Sequence, residues 1–149
     1  MNGMEVYQVQ KADLLALQEI SRQTFLDTFA EVNTKEDMSQ YLEVNLSLDQ
    51  LAEELNNPST SFYFVKSNNE ILAYLKLNEA KAQTEKREVP SMEIERIYVR
   101  SEFQNRGVGQ FILDFSVELT KVKQLKLIWL GVWEHNVRAI RFYERNRFQ

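Results

Sequence analysis

Hydrophobic and polar residues follow regular spacings in the first third of the chain and predict one strand followed by three helices. Residues 5–10 alternate between polar and apolar side chains, which is the pattern of a strand. Asp13 is a suitable N-cap for a first helix, whose apolar residues recur every three or four positions. Thr34 and Ser47 each stand three residues before a polar residue, as in a capping box, and predict the starts of two more helices.

A hairpin and a charged loop are predicted in the middle of the chain. Residues 62–66 and 71–78 are rich in residue types that favour strands. Residues 67–70 between them contain two asparagines, which tolerate the positive φ of a tight turn. Residues 80–90 are charged and lack strand or helix spacing, so they predict a solvated loop.

The last third predicts two strands joined by a helix, and then a final helix. Residues 92–99 alternate as a strand, and residues 107–125 form an amphipathic run. The apolar residues 127–133 predict a strand that is buried on both faces and lies beside the strand at 92–99. Asn136 is suited to cap the final helix. This order predicts an α+β fold of three α/β layers, a mixed central sheet with helices on both faces.

The composition fits a globular protein and removes several kinds of chemistry. The 149 residues fit a single domain, 1–149, and the 44% of hydrophobic residues exclude a disordered chain. No cysteine is present, which removes disulfides and thiolate nucleophiles, and the single histidine cannot assemble a multi-histidine metal site. We therefore expect chemistry that needs neither a metal nor a cysteine intermediate.

Charge and hydropathy bear on partners and compartment. The net charge of -4 and the pI near 5.2 argue against a nucleic-acid partner and favour a cationic one. The first residues do not resemble a secretory leader, and no apolar run approaches the roughly 20 residues of a membrane span. We expect a cytoplasmic protein without a membrane partner.

Residues 93–109 are the stretch most suggestive of a binding site. A strand here feeds a polar turn, and two glycines, Gly107 and Gly109, open the next helix. Backbone N–H groups and the positive end of a helix dipole point outward together at such a place, which suits a phosphate. The stretch matches neither the P-loop nor the full dinucleotide-binding pattern. On its own, a Gly-x-Gly before a helix can also be only a tight turn.

Motifs spread over the second half of the chain resemble one family. They are Ile-Tyr-Val at 97–99, Gln-x-x-Gly-x-Gly at 104–109, Gly-Val at 131–132, Asn136, and Phe-Tyr at 142–143. In this combination the sequence resembles the GNAT superfamily of N-acetyltransferases, and within it the bacterial PaiA-type spermidine/spermine acetyltransferases. The resemblance implies acetyl-coenzyme A (acetyl-CoA) as the donor, with coenzyme A (CoA) as product. It also implies a primary amine of a small polyamine as the acceptor, attacking the thioester directly.

The resemblance also implies which residues hold the donor. The backbone of Ile97, Tyr98 and Val99 would bond the pantetheine arm, where this strand splays from its neighbour. The pyrophosphate would lie on the loop formed by Gln104, Asn105, Arg106, Gly107, Val108 and Gly109. Asn136 would contact the pantetheine side, and Tyr143 would sit beside the thioester sulfur.

Acetyl transfer needs a polarised carbonyl and a proton for the departing thiolate. A backbone N–H of Ile97 or Tyr98 could stabilise the carbonyl oxygen as charge develops on it. The phenol of Tyr143, with an ordinary pKa of about 10, could deliver the proton. Without the family pattern, Tyr143 would be interpreted as an aromatic residue packed on the sheet.

Carboxylates are the candidates for the acceptor side. Glu93 lies where many relatives carry a general-base glutamate, and Glu95 is a candidate for substrate binding. Alternation along the strand predicts that both share a face with Ile97. Glu134 is a further substrate-binding candidate. Acidic residues of the first helices could line an acceptor groove or form a solvated surface, and these are Asp27, Glu31, Glu36 and Asp37.

The end of the sequence departs from the family pattern. Arg147 stands where relatives usually have a glycine, and the sequence stops at Gln149, before the last two strands that relatives carry. The strand at 127–133 would then keep an unpaired edge, which predicts a homodimer that covers it. Two alternatives remain open, a non-catalytic CoA-binding or regulatory module, and an acetyltransferase for a protein or another small-molecule amine.

Overall fold

A computed structural model describes residues 3–29, 34–131 and Tyr143. It contains a five-stranded mixed sheet with helices packed on both faces, so the predicted fold class is confirmed. The described helices include none that is long and apolar enough to cross a membrane.

The first third folds as predicted, with one correction. Strand β1 covers Glu5–Gln8, and the helices are α1 at Leu14–Phe29, α2 at Lys35–Val44 and α3 at Leu48–Asn56. Thr34 and Ser47 cap α2 and α3 through their side-chain oxygens. Asp13 is not the N-cap of α1, because a 3-10 turn at Lys11–Asp13 precedes the helix. Its carboxylate instead accepts a hydrogen bond from the N–H of Gln10 at 2.9 Å.

The hairpin is also confirmed. Strand β2 covers Thr60–Ser67 and strand β3 covers Glu70–Glu79, and the two pair in antiparallel fashion. Asn68 and Asn69 in the turn have φ values of 52° and 65°. Both central residues therefore have the positive φ that a type I′ hairpin turn requires.

The remaining elements are strand β4 at Ser91–Val99, helix α4 at Val108–Val122 and strand β5 at Leu127–Leu130. The strands lie in the order β1-β2-β3-β4-β5, and only β4 and β5 pair in parallel. The prediction that residues 127–133 are buried on both faces is wrong for β5. Leu127 is 38% exposed and the rest of the strand is half-buried, because β5 lies at the edge of the described sheet. Residues 132 and 133 lie outside the described residues.

Two apolar cores lie on opposite faces of the sheet. Helices α1 to α3 cover one face, where Leu17, Ile20 and Leu51 pack on side chains of β2 and β3. Helix α4 covers the other face, where Ile112 and Leu113 pack on β3 and β4. The layers are thus helix, sheet, helix.

A bulge in β4 changes which side chains share a face. Leu77 pairs with Ile94 whereas Lys76 pairs with Arg96, so Glu95 is the additional residue of β4 at this point. Glu93 and Glu95 both contact Asn78, but Ile97 packs in the core under α4, on the opposite face. The prediction that Ile97 shares a face with the two glutamates is therefore wrong, because strict alternation fails at a bulge.

Candidate active site

Strand β4 loses one of its neighbours halfway along its length. The parallel pairing with β5 ends where Ile94 meets Leu130, and beyond it the described residues offer β4 only the partner β3. The N–H of Arg100 donates to Leu72 O at 2.9 Å, towards β3. Because antiparallel bonding alternates, Tyr98 also faces β3, while Ile97 and Val99 present their N–H groups to the open edge. Of the two predicted oxyanion donors, this geometry favours Ile97.

The loop after β4 turns back to that open edge. A 3-10 turn at Ser101–Phe103 leads to Gln104, whose side-chain amide donates to Val99 O at 3.3 Å. Asn105 has a φ of 64° and Gly107 a φ of 82°. This left-handed conformation strains any residue with a Cβ, which is the physical reason for glycine at 107. The loop is thereby fixed beside the end of β4.

The N-terminus of α4 offers unsatisfied donors at the same place. Gly107 is the N-cap and has no side chain with which to cap the helix. The first printed helical bond runs from Phe111 N–H to Gly107 O at 3.0 Å, so the preceding N–H groups of the first turn have no partner within the helix. The exposed Arg106 stacks its guanidinium over Phe103, 5.9 Å from the ring centroid. A cradle of free amides with an adjacent cation fits the phosphates of a nucleotide cofactor.

Tyrosine side chains gather on the other side of the open edge. Tyr98 packs on Tyr74, with the ring centroids 5.9 Å apart. The half-buried Tyr143 lies near Tyr98, and burial, with a smaller contribution from that neighbouring phenol, raises the pKa of Tyr143 to about 12. Tyr143 is therefore a protonated phenol at neutral pH, close to the strand that carries the free N–H groups.

Glu93 is buried and fully engaged with its neighbours. It is 3% exposed. Its Oε1 accepts from Asn78 Nδ2 at 3.0 Å and from the N–H of Thr84 at 2.8 Å, and its Oε2 accepts from the hydroxyl of Thr84. Three protein donors thus occupy the carboxylate that was predicted to be the base, a role that stays a prediction.

Glu95 belongs to a cluster of buried charges. Lys76 Nζ lies 2.8 Å from Glu95 and 2.7 Å from Glu54, and Arg96 contacts the same two carboxylates at 3.4 and 3.5 Å. Burial raises the pKa of Glu95, but the attraction of Lys76 and Arg96 outweighs it, so the net pKa lies below its ordinary value. A cationic amine at Glu95 would have to compete with two resident cations.

Other predicted site residues are separate from this cluster or outside the description. Asp27 accepts from Ser101 Oγ at 3.3 Å, which ties the end of α1 to the loop after β4. The acidic residues of α2, Glu36 and Asp37, are exposed. The calls that lie outside the described residues are Glu31, Glu134 and Asn136.

Sequence reasoning missed the partners of these carboxylates. Lys76 and Asn78 interrupt an apolar strand at positions that prove to be buried, at 6% and 1% exposure. A polar residue inside an apolar strand run is a usable signal, because a buried polar group needs a partner. Thr84 gave no such signal, since its partner depends on how the loop folds back.

The fold is shared with acetyltransferases of known structure. The PaiA N-acetyltransferase from Thermoplasma acidophilum in complex with coenzyme A superposes with a TM-score of 0.82 at 20% identity, over 97% of this chain and 88% of that one. An aminoglycoside acetyltransferase from an uncultured soil metagenomic sample gives a TM-score of 0.75 at 17% identity, over 99% and 89% of the two chains. The architecture is thus that of an acetyltransferase.

Sequence comparison gives the family. The sequence model of the acetyltransferase (GNAT) family matches residues 16–148, and the chain belongs to this family. It is 43% identical over 143 residues to an uncharacterized N-acetyltransferase in the pepI 3′ region of Lactobacillus delbrueckii subsp. lactis, covering 96% of this chain and 83% of the relative. The spermine/spermidine N(1)-acetyltransferase of Bacillus subtilis is 32% identical over 57 residues, 38% of either chain. The protein is an N-acetyltransferase that uses acetyl-CoA.

Proposed function

We propose that this protein moves the acetyl group of acetyl-CoA to a primary amine of a small polyamine such as spermidine or spermine. The observation that carries the site assignment is the open edge of β4, which leads directly into the glycine loop at the start of α4. The match to the Bacillus subtilis enzyme supports the acceptor, because that relative is named for spermine and spermidine. The net charge of -4 is compatible with a cationic substrate.

The donor would be held mainly by backbone groups of this chain. In this proposal the free N–H groups of Ile97 and Val99 bond the pantetheine arm, and the loop 104–109 holds the pyrophosphate at the helix N-terminus. The positive φ of Gly107 is what lets the loop turn its amides in this direction. Such backbone donors keep their position when charge develops, so they cost no reorganisation during the reaction.

The chemistry would need three contributions from the protein. Acetyl-CoA supplies an acetyl thioester, from which a neutral amine takes the acetyl group as a C–N bond forms and the C–S bond breaks. Ile97 N–H stabilises the negative charge on the carbonyl oxygen. Tyr143 keeps its proton on Oη at neutral pH, since its pKa is raised to about 12, and donates it towards the departing sulfur. Burial beside Tyr98 limits the access of water to that phenol.

The proton of the amine must leave by another route. The contacts of Glu93 support a proposal in which solvent takes this proton, because Asn78 and Thr84 already occupy the carboxylate. Glu95 is likewise paired with Lys76 and Arg96. Neither glutamate is then a free base or a free anion for the acceptor.

An amine-panel assay tests the proposal. The purified protein is mixed with acetyl-CoA and, separately, spermidine, spermine, the aminoglycoside sisomicin or a peptide with a free N-terminus, and CoA release and the acetylated product are both measured. Acetylation of spermidine or spermine well above the other amines is expected. Preference for sisomicin or the peptide would replace the acceptor, and CoA binding without any acetylated product would favour the non-catalytic alternative.

A further inference from the structure

The loop between β3 and β4 joins two strands rather than lying free in solvent. Gln83 Oε1 accepts from Ser91 Oγ of β4 at 2.8 Å and from Trp129 Nε1 of β5 at 2.7 Å. One side-chain oxygen therefore links both strands. The expectation of a simple solvated loop at 80–90 is wrong, because its polar side chains find partners on the sheet.

A second contact fixes the same loop to the middle of β4. Thr84 donates two hydrogen bonds to Glu93, one from its N–H and one from its hydroxyl. Glu93 is in turn held by Asn78 of β3. Hydrogen bonds to a buried carboxylate are stronger than neutral ones, so this contact is a substantial anchor for an otherwise exposed segment.

Further contacts come from the two ends of the loop. The guanidinium of Arg87 lies over the ring of Trp129, 3.9 Å from its centroid. The N–H of Lys126, just before β5, donates to the carbonyl of Pro90 at 2.8 Å. These contacts concentrate on β5, an edge strand of only four residues that pairs with β4 only from Ser91 to Ile94.

We propose that residues 80–90 form a clamp that holds β5 against the first half of β4, and that Glu93 and Gln83 are its anchoring residues. The clamp lies at the paired end of the two strands, and the open edge that receives the donor begins directly beyond the last pair. Because β5 is short, its angle to β4 depends on these side-chain contacts. The clamp thus sets the geometry of the donor slot, and this step rests on the proposed role of the open edge.

In this arrangement Glu93 is a positioning residue. It touches neither the open edge nor the glycine loop, and it acts through Thr84 on the loop that grips β5. The clamp can be broken without changing Glu93 at all. Thr84→Val removes one anchoring hydroxyl while keeping the size of the side chain, and Gln83→Ala removes the oxygen that joins β4 to β5.

Two readouts test the clamp independently of turnover. Limited trypsin digestion reports opening of the loop, since Lys81, Lys86 and Arg87 lie in it and are exposed. Calorimetric titration with CoA reports the donor slot. Both variants should be cut in the loop at least about tenfold faster than the unmodified protein, because each loses a hydrogen bond to a buried or charged group. Both should also bind CoA several-fold more weakly.

Matched controls make the outcomes decisive. Glu88→Ala changes an exposed carboxylate of the same loop and should leave digestion and CoA affinity unchanged, and Thr84→Ser keeps the hydroxyl and should restore most of the resistance. Digestion of Thr84→Val and Gln83→Ala at the original rate would overturn the clamp. Faster digestion with unchanged CoA affinity would overturn its link to the slot. Failure of the unmodified protein to bind CoA would instead reject the donor assignment, which digestion does not depend on.

Discussion

The two halves of β4 belong to one strand but serve opposite ends. From Ser91 to Ile94 the strand is paired on both sides, and the carboxylate of Glu93 is buried under three donors. From Glu95 to Val99 it keeps only β3 among the described residues, and Ile97 and Val99 present free N–H groups. The bulge at Glu95 divides the halves. Satisfied polar groups hold a structure, whereas unsatisfied ones are available to a ligand.

The largest expected effect comes from breaking the charge cluster at this division. Lys76→Met leaves Glu54 and Glu95 with Arg96 alone, so one buried negative charge loses its partner. Loss of one partner of a buried ion pair costs about 3–5 kcal/mol. Urea unfolding followed by circular dichroism should show a loss of that order. The surface variant Lys121→Met should change stability by no more than about 0.5 kcal/mol, and an equally small change for Lys76→Met would contradict the structural role of the cluster.

The next effect concerns catalysis in the open half. Tyr143→Phe should lower kcat by about 100-fold, as loss of a general acid typically does, while CoA affinity stays the same. Since burial raises the pKa of Tyr143 to about 12, the active protonated form persists at higher pH, and its alkaline loss moves upward from the usual value of about 10. The kcat profile should therefore remain flat between pH 8 and 10. An unchanged kcat in the phenylalanine variant would remove Tyr143 from this role.

A smaller effect is expected at the glycine loop. Gly107→Val forces a β-branched residue into a φ of 82°, which costs about 1–2 kcal/mol or distorts the loop, so CoA affinity should fall by about 5- to 30-fold. Gly3→Val is a matched control, because Gly3 has the same φ and equally open surroundings but lies before β1. Titration calorimetry separates the two. Equal CoA affinities for both variants would argue against the loop as the phosphate site.

The smallest effect on turnover is expected in the paired half. Glutamine at position 93 can still accept from Asn78 and from Thr84 N–H, and its amide can donate to the Thr84 hydroxyl. Glu93→Gln should therefore lower kcat by less than about tenfold, whereas loss of a general base costs about 10² to 10⁴. Steady-state kinetics over a range of pH decides between them. A fall of the larger size, with loss of the acidic limb, would restore Glu93 as the base.

The same division explains what could be predicted from the sequence. The hairpin at Asn68 and Asn69 and the cradle at Gly107 depend on local conformation, which residue types report directly. The engagement of Glu93 depends on Asn78 and Thr84, whose positions follow from strand register and loop path. Alternation also failed at Glu95, because a bulge is a property of two paired strands and not of one run of residues.

Hydrogen exchange of backbone amides, with and without CoA, tests the contrast between the two halves most directly. The amides of Ile97, Val99 and the loop 106–109 should exchange quickly in the free protein and become protected by CoA. Those of Thr84 and residues 91–94 should already be slow and should change little. Protection confined to residues 80–94, or none at Ile97 and Val99, would contradict the assignment of the open half of β4 as the donor site.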